Sequence, residues 1–522
     1  MVTAAVVKGA LIDPPGLTGN GAWGLRSNAH NRLQLGAPPR SRERGGHRLW
    51  AYLLMLAQSL VLAGCMVGPQ YKAPADPVAP YHNSQVVEGR RTDIPPPPLD
   101  IWWTGFRDPE LTRIVDRALA QNLDLEAALA RVDQARAAAR EAGAKLLPAG
   151  SAAGTVSPLR QSLNSPIGSV ARYFPGYDRN QTLYDAGVGA QWEIDLSGGL
   201  RRGVEAARDE AEAAEAQQLG VRVSVVADAA DAYFQARGAQ ARLAIAQAQV
   251  DTDSRLLELV RLRFSRGASD NKEVAQAEAL LAQARATIPP LRTVLEAQFN
   301  RLDVLMGVQP GTYAAELAQP ADIPRAPAIP PGQNAADLLR RRPDIIAAER
   351  RLAASNARIG VAVSEYYPKV SLSALLGFES LSAGRLFSAE SFQPEGSAGL
   401  RWRLFDFGKV DAEVAQANSA NAQALLAYRQ TVLRATEDVE NAFMALAQLE
   451  LQARDLAAEV DALARARDAS QESYLAGASS LTDVLDADRQ SLLARDELAR
   501  TQADTDRAVV LSFRALGGGW TL

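Results

Sequence analysis

Between residues 203 and 264 the chain has no proline and only three glycines, Gly203, Gly220 and Gly238. This predicts one unbroken helix about 90 Å long, which no compact domain can enclose. Toward its end Leu243, Ala246, Val250, Leu257, Val260 and Phe264 recur at three- and four-residue spacing, and Asp253 fills the one missing position. Such spacing is a coiled-coil seam, and the abundant alanines let helix axes approach closely. Two such helices turning at RFSRGASD (263–270) predict a hairpin projecting far from its base.

The pattern occurs twice. NLDLEAALARVDQARA (122–137) aligns with RPDIIAAERRLAASNA (342–357), placing Asp124 over Asp344, and each helix runs to a proline, Pro148 or Pro368. GAQWEIDLSGG (189–199) aligns with GLRWRLFDFGK (399–409), RFSRGAS (263–269) with SYLAGAS (473–479), and LDVLMG (302–307) with SFRALG (512–517). The offset is 220 for the first match and 210 for the later ones, so one ten-residue indel separates two tandem copies. The expected organisation is repeat 1 over 101–307, a linker over 308–337, repeat 2 over 338–517 and a tail over 518–522. Prolines at 289–290 and over 320–331 are expected to break the helices at mid-length.

Each copy also holds non-helical stretches with period two. In 184–196 Tyr184, Ala186, Val188, Ala190, Trp192, Ile194 and Leu196 oppose Asp185, Gly187, Gly189, Gln191, Glu193 and Asp195. In the second copy Val370, Leu372, Ala374, Leu376 and Phe378 share one face, as do Ala398, Leu400, Trp402 and Leu404, the latter opposite Arg401 and Arg403. The expected strand pairs lie at about 149–197 and 369–407, with the strand around 149–157 weak. Such alternation fits a half-buried sheet or a transmembrane barrel strand.

Several function classes fall away. Formal net charge is −4, with 56 Lys+Arg against 60 Asp+Glu, so no basic excess points to nucleic acid. All three histidines, His30, His47 and His82, lie in the first 82 residues, which removes His-based metal or nucleophilic chemistry from the rest. No Gly-x-Ser-x-Gly elbow, phosphate-binding loop or His-Glu-x-x-His motif is present. Carboxylate catalysis alone stays open and no motif points to it; the chain reads as a non-enzyme without cofactor or metal.

The single cysteine, Cys65, follows a basic lead (Arg42, Arg44, His47, Arg48) and an apolar run over 49–63. The run is shorter than the roughly 20 residues of a membrane span and suits a signal peptide. Leu62-Ala63-Gly64-Cys65 resembles a bacterial lipoprotein box, in which the cysteine is acylated after cleavage. Residues 42–64 are then the signal peptide, 65–100 a lipidated Pro-rich lead-in, and 1–41 a non-structural extension. In such lipoproteins Asp after the cysteine favours inner-membrane retention; Met66 here favours the outer membrane.

Taken together, LAGCMVGPQYKAP, WWTGFRDPEL (102–111), the LLP and YYP helix ends, WEIDLSG and WRLFDFG, the two hairpin turns and LTDVLDADR (481–489) resemble the outer-membrane efflux factors. These are TolC-like channel-tunnels, here of the NodT-type lipoprotein branch, and the resemblance covers residues 61–520. It implies a mainly α fold with β: a homotrimer with four strands per chain in a shared twelve-stranded barrel, and coiled-coil hairpins forming a periplasmic tunnel. Open sheet edges are not tolerated in lipid, so four strands spanning a membrane need other chains to close them; three chains rests on the resemblance.

The implied function is the passive exit duct of a tripartite efflux system for drugs or other small molecules. It would be joined to a periplasmic adaptor and an inner-membrane RND-type pump. The rival is a periplasmic adaptor lipoprotein, whose single hairpin fits two hairpins and a duplication less well. The resemblance further implies a gate of carboxylates at Asp483 and Asp486, whose mutual repulsion would favour opening; repeat 1 has Glu273 and Gln276 at the matching positions, so the gate would be asymmetric between hairpins. Arg401 and Arg403 would line the barrel lumen. The tips Arg263, Gly267, Ala268, Gly477, Ala478 and Ser479 would dock the adaptor, against the plainer reading that the turn itself needs glycine.

Overall fold

The computed structural model describes residues 66–75, 80–85, 94–330 and 340–521. Cys65, the signal segment 42–64 and the extension 1–41 lie outside the described residues, as do parts of the lead-in and of the linker. A 3-10 turn (Leu99–Phe106) precedes α1 (Pro109–Gln121) and α2 (Leu123–Ala144). Then follow β1 (Ala149–Arg160), α3 (Pro166–Ala171), β2 (Asn180–Ile194), α4 (Gly199–Ser265) and α5 (Asn271–Leu305). After α6 (Ala314–Leu317) come α7 (Pro343–Ser364), β3 (Lys369–Ser380), β4 (Phe392–Arg401), α8 (Lys409–Leu475) and α9 (Leu481–Ala515).

The long helices form as their composition dictates. α4 and α8 each run 67 residues, about 100 Å at the standard rise. Alanine, leucine, glutamate and arginine cost a helix little, and no residue within either removes a backbone donor. Each starts where a glycine takes the left-handed conformation, Gly198 at φ 79° and Gly408 at φ 84°. α5 and α9 each run 35 residues and return along α4 and α8. α2 and α7 are 22 residues each; α2 packs on α4, and α7 packs on both α4 and α8.

One expected break is absent. α5 continues through Pro289 and Pro290. The two prolines forfeit the amide donors to the carbonyls of Arg285 and Ala286, but their fixed φ is already helical. Packing along α4 keeps the chain in register, with Ala284 and Leu291 buried on either side of the pair. The second break is real: 320–330 is irregular.

A core at mid-length ties the elements together. Trp102, Phe106, Leu111 and Ile114 pack with Val226, Phe234, Val509 and Phe513, all less than 4% exposed. Asp108 caps α1, accepting from the amides of Glu110 and Leu111 at 2.8 and 3.2 Å. Its other oxygen accepts from the Tyr233 hydroxyl. Arg237, 2% exposed, bonds Tyr233 Oη at 3.0 Å, Gln240 Oε1 at 2.8 Å, the Gln319 carbonyl at 2.6 Å and Glu110. The network fastens α1 and the irregular 319 loop to the side of α4.

The four strands form one antiparallel sheet in the order β1-β2-β3-β4. Its register sorts side chains by chemistry. Val156 faces Tyr184 and Ala152 faces Val188. Val188 faces Leu376 and Trp192 faces Leu372. Val370 faces Leu400 and Phe378 faces Phe392. One sheet face is therefore apolar or glycine except at its loop end, where Arg160, Asn180, Thr182 and Ser380 lie, and the other carries Thr155, Asp185, Glu193, Ser373, Glu379, Glu395 and Arg401. The weak first strand is a full strand of 12 residues; its glycines and alanines hide a pattern that its partner β2 enforces.

Candidate channel entrance and membrane-facing sheet

The sheet has no core of its own. Val156 is 65% exposed, Val188 60%, Leu376 61% and Leu400 68%, although these are strand residues on the face that a soluble protein would bury. Among the described residues neither edge is paired, since β1 and β4 each have one neighbour. An apolar face bare to its surroundings with two open edges fits a fragment of a barrel wall. Among the described residues no helix is long and apolar enough to cross a membrane, so in this unit the sheet is the element whose chemistry suits lipid.

Arg401 is the last residue of β4 and pairs across the sheet with Lys369, on the polar face. Arg403 departs from expectation. It lies two residues beyond β4, in the turn to α8, where it pairs with Glu365 at 2.9 Å and Glu413 at 3.1 Å. Strand pairing ends at Lys369 because the helical junction begins there, and Trp402 with it leaves the sheet; its indole donates to the Tyr366 carbonyl.

The chain approaches the same junction from its amino terminus. The Val67 amide donates to the Ser197 carbonyl at 3.0 Å, Arg202 reaches the Val67 carbonyl at 3.1 Å, and Asn356 reaches that of Pro69 at 3.1 Å. Met66 lies against Gly198, where an added Cβ would come within 2.8 Å of the Met66 Cα. The residue after Cys65 is thus fixed where sheet meets helices.

At the far end the two turns have the same geometry. Gly267 and Gly477 both adopt φ 74°. The amides of Ala268 and Ala478 both donate at 2.8 Å, to the carbonyls of Arg263 and Ser473, closing a Schellman-type stop. A Cβ on either glycine would meet nothing within 4 Å, so conformation alone demands glycine there. Gly267, Ala268, Gly477 and Ala478 are exposed and Ser479 half-buried. Arg263 is engaged within the chain: its guanidinium lies 4.5 Å from the centre of the Tyr474 ring. Phe264, at 47%, and Leu475, at 56%, are exposed apolar tip residues that periodicity had assigned to a seam (Phe264) or passed over (Leu475).

Asp483 and Asp486 are both exposed and share a face of α9. Asp483 is the third residue of a capping box, its carboxylate accepting from the Ser480 amide at 3.1 Å and hydroxyl at 2.9 Å. Asp486 accepts from Arg489 and Gln490, both at 2.8 Å. The Arg489 hydrogen bond holds its carboxyl below the usual carboxylate range. The expected clash of bare carboxylates is therefore tempered by an arginine one turn away.

Behind the tips a single cluster joins both hairpins: Val250, Leu257 and Val260 of α4, Ala277, Leu281 and Ala284 of α5, Tyr474 of α8, and Leu481 and Val484 of α9. Beside it sits a polar group that periodicity did not single out. Asp253 and Asp488 are 1% and 3% exposed, and one amide nitrogen, Gln249 Nε2, donates to both, at 2.7 and 3.2 Å. The aspartate in the hydrophobic seam was the available signal.

A sheet suited to lipid, set on helices about 100 Å long that turn back as hairpins, defines a membrane channel component with a helical extension. The family model for outer membrane efflux proteins matches residues 114–308 and 335–518, and the chain belongs to that family. It is 31% identical over 468 residues to nodulation protein T of Rhizobium leguminosarum bv. trifolii, covering 88% of this chain and 96% of that one. With the pyoverdine export outer membrane protein OpmQ of Pseudomonas putida it shares 32% over 469 residues, covering 90% and 97%. The solved structure of the outer-membrane channel OprN superposes with a TM-score of 0.79 at 33% identity, covering 87% of this chain and all of that one. The protein is an outer-membrane efflux channel component, and the adaptor alternative is set aside.

Proposed function

We propose that three copies of this chain close a twelve-stranded barrel in the outer membrane, continued by their hairpins into a periplasmic tunnel. The duct is passive. It serves as the exit for drugs or other small molecules, joined through a periplasmic adaptor to an inner-membrane RND-type pump, with no enzymatic step and no cofactor. The observation that carries this is the four-stranded sheet with one exposed, predominantly apolar face and two edges unpaired among the described residues, which lipid and further strands would satisfy. A tandem duplication accounts for paired helices of 22, 67 and 35 residues in each half.

Cys65 carries the lipid in this reading, and the pinned Met66 supports an anchor at the barrel's periplasmic rim. Gly267, Ala268, Gly477, Ala478 and Ser479 face the adaptor with Phe264 and Leu475, while Arg263 braces the tip from within. The test is density-gradient fractionation of a C-terminally tagged chain with and without Cys65→Ser. The expected result is a detergent-stable oligomer in the outer membrane, with the variant less firmly retained. Recovery in the inner membrane as a monomer sinks the proposal.

Asp486 and Asp483 line the entrance, with Arg489 setting how much charge is free. Asp483→Asn with Asp486→Asn lowers the cation-to-anion permeability ratio in planar bilayers by at least about twofold, and Arg489→Ala raises it. An unchanged reversal potential in both variants removes these residues from the pathway.

A further inference from the structure

We propose that Asp253 and Asp488 hold a proton between them and so form a latch between the two hairpins of one chain just behind the entrance, tight in acid and loosened as the pair ionises. Asp253 lies on α4 of the first hairpin and Asp488 on α9 of the second, two residues beyond Asp486. The inference rests on reading the tips as the tunnel entrance.

The geometry leaves a place for one proton. Asp253 Oδ2 and Asp488 Oδ1 are buried with no hydrogen-bond partner, although each residue's other oxygen accepts from Gln249. Two buried carboxylates converging on one amide nitrogen are a repulsive pair when both are ionised; a hydrogen on one turns it into a donor to the other. Among the described residues the cation paired with the site is Arg467 of α8, whose Nε comes 3.2 Å from Asp488 Oδ1 without hydrogen-bond alignment. Arg467 also lies 4.0 Å from the exposed Asp468. From α5 the apolar side chains of Ala277, Leu281 and Ala284 pack in the neighbouring cluster. Two carboxylates against one shared guanidinium leave a buried negative charge uncompensated, a state that costs several kcal/mol and is avoided by binding a proton.

Burial accordingly pushes the Asp253 carboxyl up to about 7, with Asp488 adding to the shift and Gln249 and Arg467 opposing it. Because the folded value is raised, the stabilisation from this proton is complete below the ordinary carboxylate range and is lost as pH rises through about 7. Ionisation then sets two charges against each other across the α4–α9 contact, and α9 carries Asp486 outward with it. All histidines lie in the first 82 residues, and Asp486 is shifted the other way. Asp209, raised by burial to about 6, lies about 65 Å up α4 toward the sheet.

The test uses the purified full-length protein in detergent and in planar bilayers. Infrared difference spectra between about pH 5.5 and about pH 8.5 should show the carbonyl stretch of one buried carboxylic acid, lost through neutrality and missing in Asp253→Asn. Conductance should rise about threefold over the same range in the native protein and stay at the acid level in Asp253→Asn, whose amide keeps a hydrogen on the shared bond. Asp488→Asn provides a second variant with the same expectation should the first fold poorly. Absence of the band overturns the proposal and leaves an ionised pair neutralised by a bound monovalent cation. A titrating band with conductance flat across the range overturns the latch. A titrating band in a protein that forms no channel overturns the reading of the tips as an entrance, and the latch with it.

Discussion

Arg237→Ala will lower the stability of the helical body by about 3–5 kcal/mol, measured by guanidinium denaturation of the detergent-solubilised protein with the helical circular dichroism signal as readout. Arg237 is 2% exposed and its guanidinium bonds four partners on three segments, α1, α4 and the 319 loop. Removing it leaves the Glu110 carboxylate without its cation in a site where one of its oxygens, Oε1, already lacks a partner. It also frees Tyr233, which holds Asp108 in its capping position. The loss exceeds that of an ordinary surface pair because the partner carboxylate is largely shielded, its side chain 17% exposed. Arg237→Lys keeps the charge but not the planar fork, and should recover only part of the loss. A cost under about 1 kcal/mol for the alanine variant would mean that the network contributes no more than an exposed ion pair.

Trp102→Ala should cost about as much, roughly 3–5 kcal/mol, by a different mechanism. The indole is 1% exposed and stacks on Phe513 of α9 at 5.2 Å between ring centres, with Trp103 and Phe106 edge-on at 5.9 and 6.3 Å. The space it fills is closed on one side by Gly518, where an added Cβ would approach the indole to 2.9 Å. The strand of chain beyond α9 is held there by the Gly519 amide on the Leu99 carbonyl, at 2.8 Å. Neighbours so constrained cannot collapse into a void. Trp102→Phe, which keeps a ring on Phe513, should cost less than half as much. The same denaturation experiment decides it, and equal losses for the two variants would show that stacking is irrelevant.

Much of this architecture was legible because the chain uses two uncluttered periods. Long proline-free, alanine-rich runs admit little but helix, and strict alternation of Val188, Ala190 and Trp192 against Gly187, Gly189 and Gln191 settles which residues share a face. The internal alignment rests on Trp192 over Trp402 and Gly267 over Gly477, which hold fixed positions in an otherwise repetitive background. Three features escaped for physical reasons. Pro289 and Pro290 suggest a break to any local rule, but a helix supported along its length by α4 can lose two hydrogen bonds and continue. Arg403 has strand-like neighbours, yet the pairing partner runs out at Lys369, which is information held by another part of the chain. Asp253 was visible as a flaw in a hydrophobic seam, but its meaning depends on Asp488, 235 positions away (488 minus 253), and no periodicity links the two. Asp483 and Asp486 were legible as a pair on one helix face, whereas their local partners, Ser480 for Asp483 and Arg489 for Asp486, emerged from geometry.

The matched dimensions of the two hairpins constrain how such a gene can change. α4 and α8 are each 67 residues and α5 and α9 each 35. Four codons inserted in one arm alone would displace that arm by about 6 Å and rotate it by about 40° against its neighbours. The 4.5 Å contact between Arg263 and Tyr474 could not survive such a slip. A duct of this kind cannot lengthen one mutation at a time; a longer or shorter relative must have altered all four arms together or been copied from an ancestor already at that length.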